Sequence, residues 1–302
     1  WSDTLLQKCG LTRANMPELV EGCDVSATLD PRVAERWGLT PSVVVAGGGG
    51  DNAVSAIGVG AVSPGDAFIS LGTSGVLFVV TDAYRPAPQS AVHAFCHVLP
   101  NLWHQMSVML SAASCLQWFC RLVGVTETEL LEEIAQLSPA EKASAPMFLP
   151  YLSGERTPHN DPDARGMFWG LTHSSQRALM GYAVLEGVSF GIADGLRVLQ
   201  ESGTAIEQCS LVGGGARSPF WAQLLADILN MPVVTHKGGE TGGALGAARL
   251  ACLAAGKPLA AVCEKPEVYQ TWHGDAERHQ ALMQRYQQFN SLYSNDLNYR
   301  NQ

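Results

Sequence analysis

The sequence lacks several features that would assign it to a familiar class of protein. Its eight cysteines form no C-x-x-C pair and lie scattered through apolar stretches, which favours buried, reduced thiols in a cytoplasmic protein over disulfides or zinc. No cluster of Lys and Arg offsets the net charge of −9, which argues against nucleic acid as a partner. No apolar run approaches the roughly 20 residues that span a bilayer, and no charged-then-apolar leader is visible, so no membrane partner is expected.

Several common catalytic and nucleotide-binding motifs are also missing. The G-x-G-x-x-G fingerprint fails because position 218 is Ser, and the G-x-x-x-x-G-K-[ST] phosphate loop does not occur. The absence of a G-x-S-x-G elbow disfavours an acyl enzyme, as the missing fingerprint disfavours a hydride-transfer enzyme. His93 and His97 share an H-x-x-x-H spacing, but they lie on a strand-like segment with Cys96 on its other face, which disfavours a metal site.

The length of 302 residues is typical of about two domains or one large domain. The chain begins with Trp1 inside a helix-like stretch rather than with Met, and we expect that an N-terminal part precedes it. Residues 63–66, Ser-Pro-Gly-Asp, form a turn cluster, which predicts a boundary between a first unit at 1–63 and a second at 64–302.

Hydrophobic periodicity predicts helices and strands that alternate in both halves of the chain. The expected strands lie at 43–46, 67–71, 76–80, 92–98, 103–110, 208–212 and 233–235. The expected helices lie at 31–37, 52–58, 114–123, 127–137, 174–201, 220–229, 244–255 and 276–292. This alternation predicts an α/β protein with mixed sheets, in which the alanine-rich helix at 244–255 packs closely against the sheet.

Asp51 follows a run of four glycines at a predicted strand-to-helix junction. At the N-cap its carboxylate can accept backbone N–H bonds and stay ionised. The glycines at 47–50 would let a ligand approach the backbone closely. This arrangement fits a general base that faces a bound substrate, and it fits an N-cap aspartate on a flexible turn equally well.

Three further glycine turns offer backbone N–H groups that could surround a phosphate. The turn Gly72-Thr73-Ser74-Gly75 adds two hydroxyl donors, although such hairpin turns are often purely structural. The run Gly213-Gly214-Gly215 links a strand to a helix, as suits a nucleotide that lies against the backbone. The turn at 238–243 precedes a helix of small residues, and we interpret it as structural.

The loop at 151–160 mixes charge, hydroxyl groups, imidazole and proline between apolar segments. Turn residues bracket Glu155 and Arg156 within it. Two interpretations stand level: a solvated loop, or a rigid element that lines a site or bridges two domains.

Taken in order, these motifs resemble those of the FGGY carbohydrate kinases, and the similarity extends over essentially the whole chain. The matching segments are 48–53, 70–75, 148–160 and 212–218, with a second signature at 166–171 and 183–186 that departs from the family at Leu179. The resemblance implies an α/β protein of the actin-like ATPase (ribonuclease H-like) fold, with a cleft between two domains. Residues 1–63 would be the remnant of an incomplete N-terminal sugar-binding domain, and 64–302 the C-terminal nucleotide-binding domain.

The resemblance also implies roles for particular residues. Asp51 matches the family's catalytic aspartate and would accept the proton of the sugar hydroxyl, with Asn52 beside it at the substrate. ATP would be bound by three segments: the turn at 72–75, the start of the helix near 114, and the glycine run at 213–215 with the residues after it. The residues concerned are Gly72, Thr73, Ser74, Ala113, Gln117, Gly213, Gly214, Gly215 and Ser218. Thr73 would contact the transferring phosphate, whereas Ser218 replaces a family asparagine.

The activity implied is phosphorylation of a sugar by ATP with Mg²⁺, with D-xylulose as the leading acceptor. Ribulose, gluconate or glycerol, or a nucleotide-binding regulator without chemistry, remain alternatives. A homodimer is one arrangement that the sequence leaves open. The family's first phosphate motif would lie upstream of Trp1, so we expect these 302 residues alone to have little or no kinase activity.

Overall fold

The computed structural model describes residues 1–237 and 242–300, so positions 238–241 of the predicted third glycine turn lie outside the described residues. Its helices are α1 (Asp3–Lys8), α2 (Pro31–Trp37), α3 (Asp51–Val59), α4 (Ala113–Val123), α5 (Glu127–Ala135), α6 (Pro139–Ala143), α7 (Arg177–Glu201), α8 (Pro219–Leu229), α9 (Gly242–Ala254), α10 (Leu259–Val262) and α11 (Ala276–Arg300). Its strands are β1 (Val25–Thr28), β2 (Val44–Ala46), β3 (Ala67–Leu71), β4 (Gly75–Thr81), β5 (His93–Cys96), β6 (Trp103–Met109), β7 (Met147–Leu149), β8 (Met167–Trp169), β9 (Cys209–Val212), β10 (Val233–His236) and β11 (Val268–Trp272).

A seven-stranded mixed sheet forms the centre, in the order β11-β10-β9-β3-β4-β6-β5. Strand β9 pairs in parallel with both β3 and β10, while the other neighbours are antiparallel. The predicted hairpin is confirmed, because β3 and β4 pair from Ala67 opposite Val79 to Leu71 opposite Gly75. The strands β1 and β2 form one separate antiparallel pair, and β7 and β8 form another.

Helix α7 lies in the main hydrophobic core. By length and composition it could cross a membrane, although its apolar residues do not form one continuous run. Of its most apolar window, 83% is buried inside the protein, as in a core helix. Its glycines let backbones approach: a Cβ on Gly187 would stand 2.2 Å from the Phe148 carbonyl oxygen. The buried Glu186 on this helix accepts two hydrogen bonds from Arg285, at 2.7 and 2.6 Å.

The small residues of α9 serve a different contact from the one expected. They pack mainly against α3 rather than against the large sheet. A Cβ on Gly246 would stand 1.9 Å from the Val54 carbonyl oxygen, and a Cβ on Gly58 would stand 1.9 Å from that of Gly242. The prediction of packing against the sheet is therefore wrong, because it is a close helix–helix crossing that requires these glycines.

One helix boundary, two exposed strands and two of the cysteines also differ from expectation. Helix α11 extends to Arg300, eight residues past the predicted end, because tertiary contacts hold its last turns: Arg300 and Tyr293 both donate to Asp161. Strands β1 and β11, which were not predicted, are mostly exposed edge segments with no buried face to show a periodicity. All eight cysteines are free, but Cys9 and Cys96 are exposed, so the expectation of buried thiols is wrong for these two.

Candidate active site

A cleft of about 920 Å³ opens where the β3–β4 turn, the start of α4, helix α5 and the β9–α8 connection meet. Its lining contains Gly72, Thr73, Ala113, Ser114, Leu116, Gln117, Glu127, Thr128, Leu131, Glu132, Ala135, Gly214, Gly215, Arg217, Ser218, Pro219, Phe220 and Trp221. Three segments that are distant in sequence, each predicted to bind ATP, therefore converge on one space. Within the described part of the chain, the lining does not include Ser74, Gly213, Asp51 or Asn52.

The β3–β4 turn is held in place by the residues that start α4. The N–H groups of Ala112 and Ala113 donate to the carbonyl oxygens of Thr73 and Gly72, at 2.9 and 2.8 Å. The Ser114 hydroxyl donates to the same Thr73 oxygen at 2.7 Å. These bonds engage the turn's carbonyls, while Thr73 and Ser74 remain exposed to solvent. The backbone of the turn is thus held in place, and the hydroxyls of Thr73 and Ser74 are accessible to a ligand.

The glycines at 213–215 divide into two that packing requires and one that faces open space. A Cβ on Gly213, whose φ is +88°, would stand 2.9 Å from the Leu71 carbonyl oxygen, and one on Gly215 would stand 2.4 Å from Leu71 Cδ2. Among the described residues, no atom lies within 4 Å of a Cβ built on Gly214. Gly214 is exposed in the cleft, so it is the position where a ligand could approach the backbone closely.

Ser218 has a structural task as well as a place in the cleft. The run at 213–215 does not open the helix directly, because a short 3₁₀ turn, Gly214–Arg217, comes first. Ser218 is then the N-cap of α8, and its hydroxyl oxygen accepts a hydrogen bond from the Trp221 N–H at 3.2 Å. This is an ordinary helix start with Pro at its first position.

Asp51 is the first residue of α3, and the N-cap is Gly50, so the predicted N-cap position is wrong by one residue. The side chain is exposed, and its Oδ1 accepts hydrogen bonds from the backbone N–H and the Nδ2 of Asn52, at 2.8 and 3.2 Å. Near the positive end of the helix dipole, a carboxylate in this first turn is still favoured. Its exposure leaves it available to a ligand.

The four glycines before Asp51 are not equally open to a ligand. A Cβ on Gly47 would stand 2.4 Å from the Glu21 carbonyl oxygen, and one on Gly49 would stand 2.1 Å from Val98 Cγ1. Packing alone therefore accounts for these two. Among the described residues, no atom lies within 4 Å of a Cβ on Gly48 or Gly50, so only these leave room for a ligand.

The loop at 151–160 is bonded to the segment between β6 and α4, the helix whose start lines the cleft. The Glu155 side chain is buried, and its Oε1 accepts hydrogen bonds from the N–H of Leu110 at 2.9 Å and of Arg156 at 2.7 Å. Burial raises the pKa of this carboxyl to about 7, against the lowering effect of the two N–H bonds. Arg156 is exposed. The interpretation as a solvated loop is wrong for Glu155, which braces the end of β6 just before α4.

Sequence reasoning missed the wall of the cleft that α5 and the first turn of α8 provide. Leu131 and Ala135 on α5 face Pro219 and Phe220 across this space. The helical pattern of α5 identified an apolar face, but nothing local distinguishes a face that lines a cleft from one that enters the core. In the sequence, the apolar Phe220 lies only two positions after Ser218, which was predicted to bind ATP. That proximity was the one local indication of an apolar wall.

Among the residues that the structure describes, no group of three or more His, Cys, Asp or Glu side chains could hold a metal ion. His97 and His104 lie instead in an aromatic cluster with Phe78, with ring centroids 6.1 and 4.6 Å from it. Burial lowers the pKa of both imidazoles to about 4, so they are neutral at pH 7.

Comparison with known proteins matches the chain to one family over most of its length. The model of the C-terminal domain of the FGGY family of carbohydrate kinases matches residues 67–255, and that of its N-terminal domain matches 1–58. A xylulose kinase of Escherichia coli K12 is 48% identical over 97% of this chain, and one of Klebsiella pneumoniae is 50% identical over 84%. The chain spans 60% and 52% of the lengths of these two relatives.

A solved structure agrees with the sequence matches. The structure of a xyloylose kinase from Brucella ovis superposes with a TM-score of 0.92 at 48% identity, over 97% of this chain and 60% of that one. The structural neighbours of this chain are FGGY sugar kinases with the actin-like ATPase fold. The predicted α/β fold class is therefore confirmed.

Proposed function

The chain belongs to the FGGY family of carbohydrate kinases, and from this premise we propose that the whole protein phosphorylates D-xylulose with ATP. The relatives that are 48% and 50% identical to it are xylulose kinases, which supports the choice of acceptor. The observation that carries the proposal is the convergence of segments around 72, 113 and 214 on one cleft. Gathering such segments is what a nucleotide site requires.

We propose that the Asp51 carboxylate acts as the general base. It accepts the proton of the sugar's terminal hydroxyl while that oxygen bonds to the γ-phosphorus of ATP. The bond between the γ-phosphorus and the β,γ-bridging oxygen breaks, and ADP leaves with the electron pair. The products are D-xylulose 5-phosphate, ADP and one proton, which passes from Asp51 to solvent. The exposed position of Asp51 supports this role, and Asn52, whose N–H donates to the Asp51 carboxylate, is proposed to contact the sugar beside it.

The nucleotide is proposed to lie with its phosphates on the glycine turns and its base on the apolar wall. Thr73 and Ser74 would donate their hydroxyls, with Gly72 supporting the turn, and the backbone at Gly214 would face the phosphates between Gly213 and Gly215. Ala113, Gln117 and Ser218 would line the path to the base. Phe220 and Leu131 offer the apolar contact that a purine ring needs.

Mg²⁺ is proposed to arrive with ATP, bound to the phosphate oxygens, as is general for kinases. The described residues contain no cluster that fits a resident ion.

We propose the division into a sugar-binding unit at 1–63 and a nucleotide-binding unit at 64–302, as the resemblance implied. The matches of the two domain models to 1–58 and 67–255 support it. The eight free cysteines support a reducing, cytoplasmic location.

The test is turnover of D-xylulose and ATP by the whole protein, measured with a coupled ADP assay beside ribulose, gluconate and glycerol. Asp51→Asn should lower kcat about 10²- to 10⁴-fold and leave the ADP dissociation constant unchanged, because the base does not hold the nucleotide. Asp163→Asn, an exposed aspartate outside the cleft, is the matched control and should turn over normally. Turnover that survives Asp51→Asn would refute the base, and ADP binding without any turnover would indicate a regulator.

A further inference from the structure

The placement of Asp51 depends on how α3 is fastened to the rest of the molecule. Helix α3 lies in the part of the chain matched by the N-terminal domain model, and α9 lies in the part matched by the C-terminal one. The two helices cross at close range, where Gly58 meets Gly242 and Val54 meets Gly246. Asp51 is the first residue of α3 and therefore stands at the opposite end of the helix from Gly58.

Arg249 on α9 ties down the C-terminal end of α3. Its Nη1 donates to the carbonyl oxygens of Ile57 at 2.8 Å and Gly58 at 3.0 Å, and its Nη2 donates to that of Glu264 at 2.7 Å. Carbonyls in the last turn of a helix need such donors, and a cation is favoured there by the helix dipole. One guanidinium thus joins two carbonyl oxygens of α3 to one carbonyl oxygen of the segment after α10.

The segment that follows α3 is fastened at the same place. Lys265, next to Glu264, pairs with Asp66 at 2.6 Å, and Asp66 accepts the N–H groups of Val62 and Ser63 at 3.0 and 2.9 Å. By contrast, the hydrogen bonds recorded for the Asp51 side chain come from the adjacent Asn52. The side-chain hydrogen bonds thus fasten α3 at its C-terminal end, whereas the glycine run before its N-terminal end is held by backbone bonds from Gly47 and Gly48 to the carbonyl oxygens of Asp24 and Gly22.

We infer that Arg249 is a positioning residue, which sets the direction of α3 and thereby the place of the Asp51 carboxylate relative to the nucleotide cleft; this inference depends on the proposed role of Asp51. At 1.5 Å per residue the nine-residue helix is about 13 Å long, so a tilt of about 10° at its fastened end moves Asp51 by roughly 2 Å. A misplacement of about 1 Å can lower turnover about a hundredfold.

The experiment compares three variants of the whole protein. Arg249→Met keeps an apolar stem but removes the donors, and Arg249→Lys restores one donor group. Arg278→Met is the matched control, because Arg278 makes two hydrogen bonds to Asp227, at 2.8 and 3.1 Å, within the C-terminal half. The measurements are kcat, the ADP dissociation constant and hydrogen exchange of the α3 amides.

Arg249→Met should lower kcat about tenfold to a hundredfold, leave ADP binding within about twofold and speed exchange in α3, with Arg249→Lys in between. Arg278→Met should lower stability without a selective loss of kcat or of protection in α3. Wild-type kcat in Arg249→Met, or an equal loss of kcat in Arg278→Met, overturns the inference. If the wild type turns over no sugar, the proposed function fails, and α3 exchange still decides: unchanged protection in Arg249→Met overturns the fastening, and faster exchange supports it.

Discussion

The two sides of the candidate active site are built in different ways. On the nucleotide side, the turn at 72–74 belongs to the central sheet and is held by Ala112, Ala113 and Ser114. On the other side, Asp51 stands on an exposed first turn, and the bonds that fasten its helix lie at the opposite end. The nucleotide side is therefore fixed by folding of the core around the central sheet, whereas the Asp51 side depends on the α3–α9 contact and on the packing of the glycine run before α3.

This difference separates binding from chemistry in experiments. A change under the 72–74 turn should alter nucleotide affinity or overall stability, because the turn and the core form one packed unit. A change in the α3–α9 contact should alter kcat, because it would move the proposed general base, Asp51, and leave the cleft intact.

The largest effect is expected from Gly246→Ala, which breaks the Asp51 side. The new Cβ would stand 1.9 Å from the Val54 carbonyl oxygen, so α3 and α9 must separate. Overpacking of this kind costs about 1–3 kcal/mol, and the shift of Asp51 should lower kcat about a hundredfold. Gly243→Ala is the control on the same helix, because its Cβ would meet Ser55 Oγ at an ordinary 3.5 Å. Equal kcat values for the two variants would contradict the comparison.

The next effect concerns Glu155, which is bonded to the segment before α4, and it depends on pH. The folded-state pKa of Glu155 is raised to about 7 from 4.5, so the folded protein holds this proton more tightly, and stability falls as pH rises through that window. At about 1.4 kcal/mol per pKa unit, ionisation of this carboxyl makes the free energy of unfolding above pH 7 about 3 kcal/mol lower than it would be with the carboxyl protonated. Glu155→Gln should match the wild type at pH 4.5 and exceed its stability at pH 8.

Denaturant unfolding of wild type and Glu155→Gln at several pH values measures this difference. The comparison must be made between the two proteins at each pH, because three histidines with a lowered pKa act in the opposite direction. Burial lowers the pKa of His97, His104 and His159 to about 4, so their contribution to stability grows as pH rises from 4 to 6.5. A difference between the two proteins that stays constant with pH would show that Glu155 does not titrate in this window.

The smallest effect is expected from Ser114→Ala, which removes the hydroxyl bond to the Thr73 carbonyl oxygen. That oxygen keeps the N–H of Ala112, so the loss should be about 1 kcal/mol, seen as roughly fivefold weaker ADP binding with kcat little changed. Ser291→Ala, which removes a similar hydroxyl bond on the surface of α11, should leave ADP binding as it is. Loss of kcat without loss of affinity would contradict the division between the two sides.

The sequence predicted the elements of both sides well, but not their purposes in detail. The hairpin at 67–80 was predictable because alternation and a glycine turn are local signals, and α8 was predicted from 220, one residue after its start. The role of Gly246 was not, because an alanine-rich helix looks the same whether it packs on a sheet or on another helix. The cleft wall at Leu131 and Phe220 was missed for a similar reason.

By itself the sequence determined most of the long helices and the hairpin strands, the glycine turns and the acidic residue that opens α3, because periodicity and backbone freedom are properties of neighbouring residues. Only the tertiary structure decided which turns share a cleft, that Gly214 faces open space while Gly213 and Gly215 are needed for packing, and what holds Asp51. These depend on contacts between distant positions, such as Leu110 with Glu155 at a separation of 45 and Ile57 with Arg249 at 192. No local pattern encodes such separations, since burial and the raised pKa of Glu155 arise only when the chain closes around them.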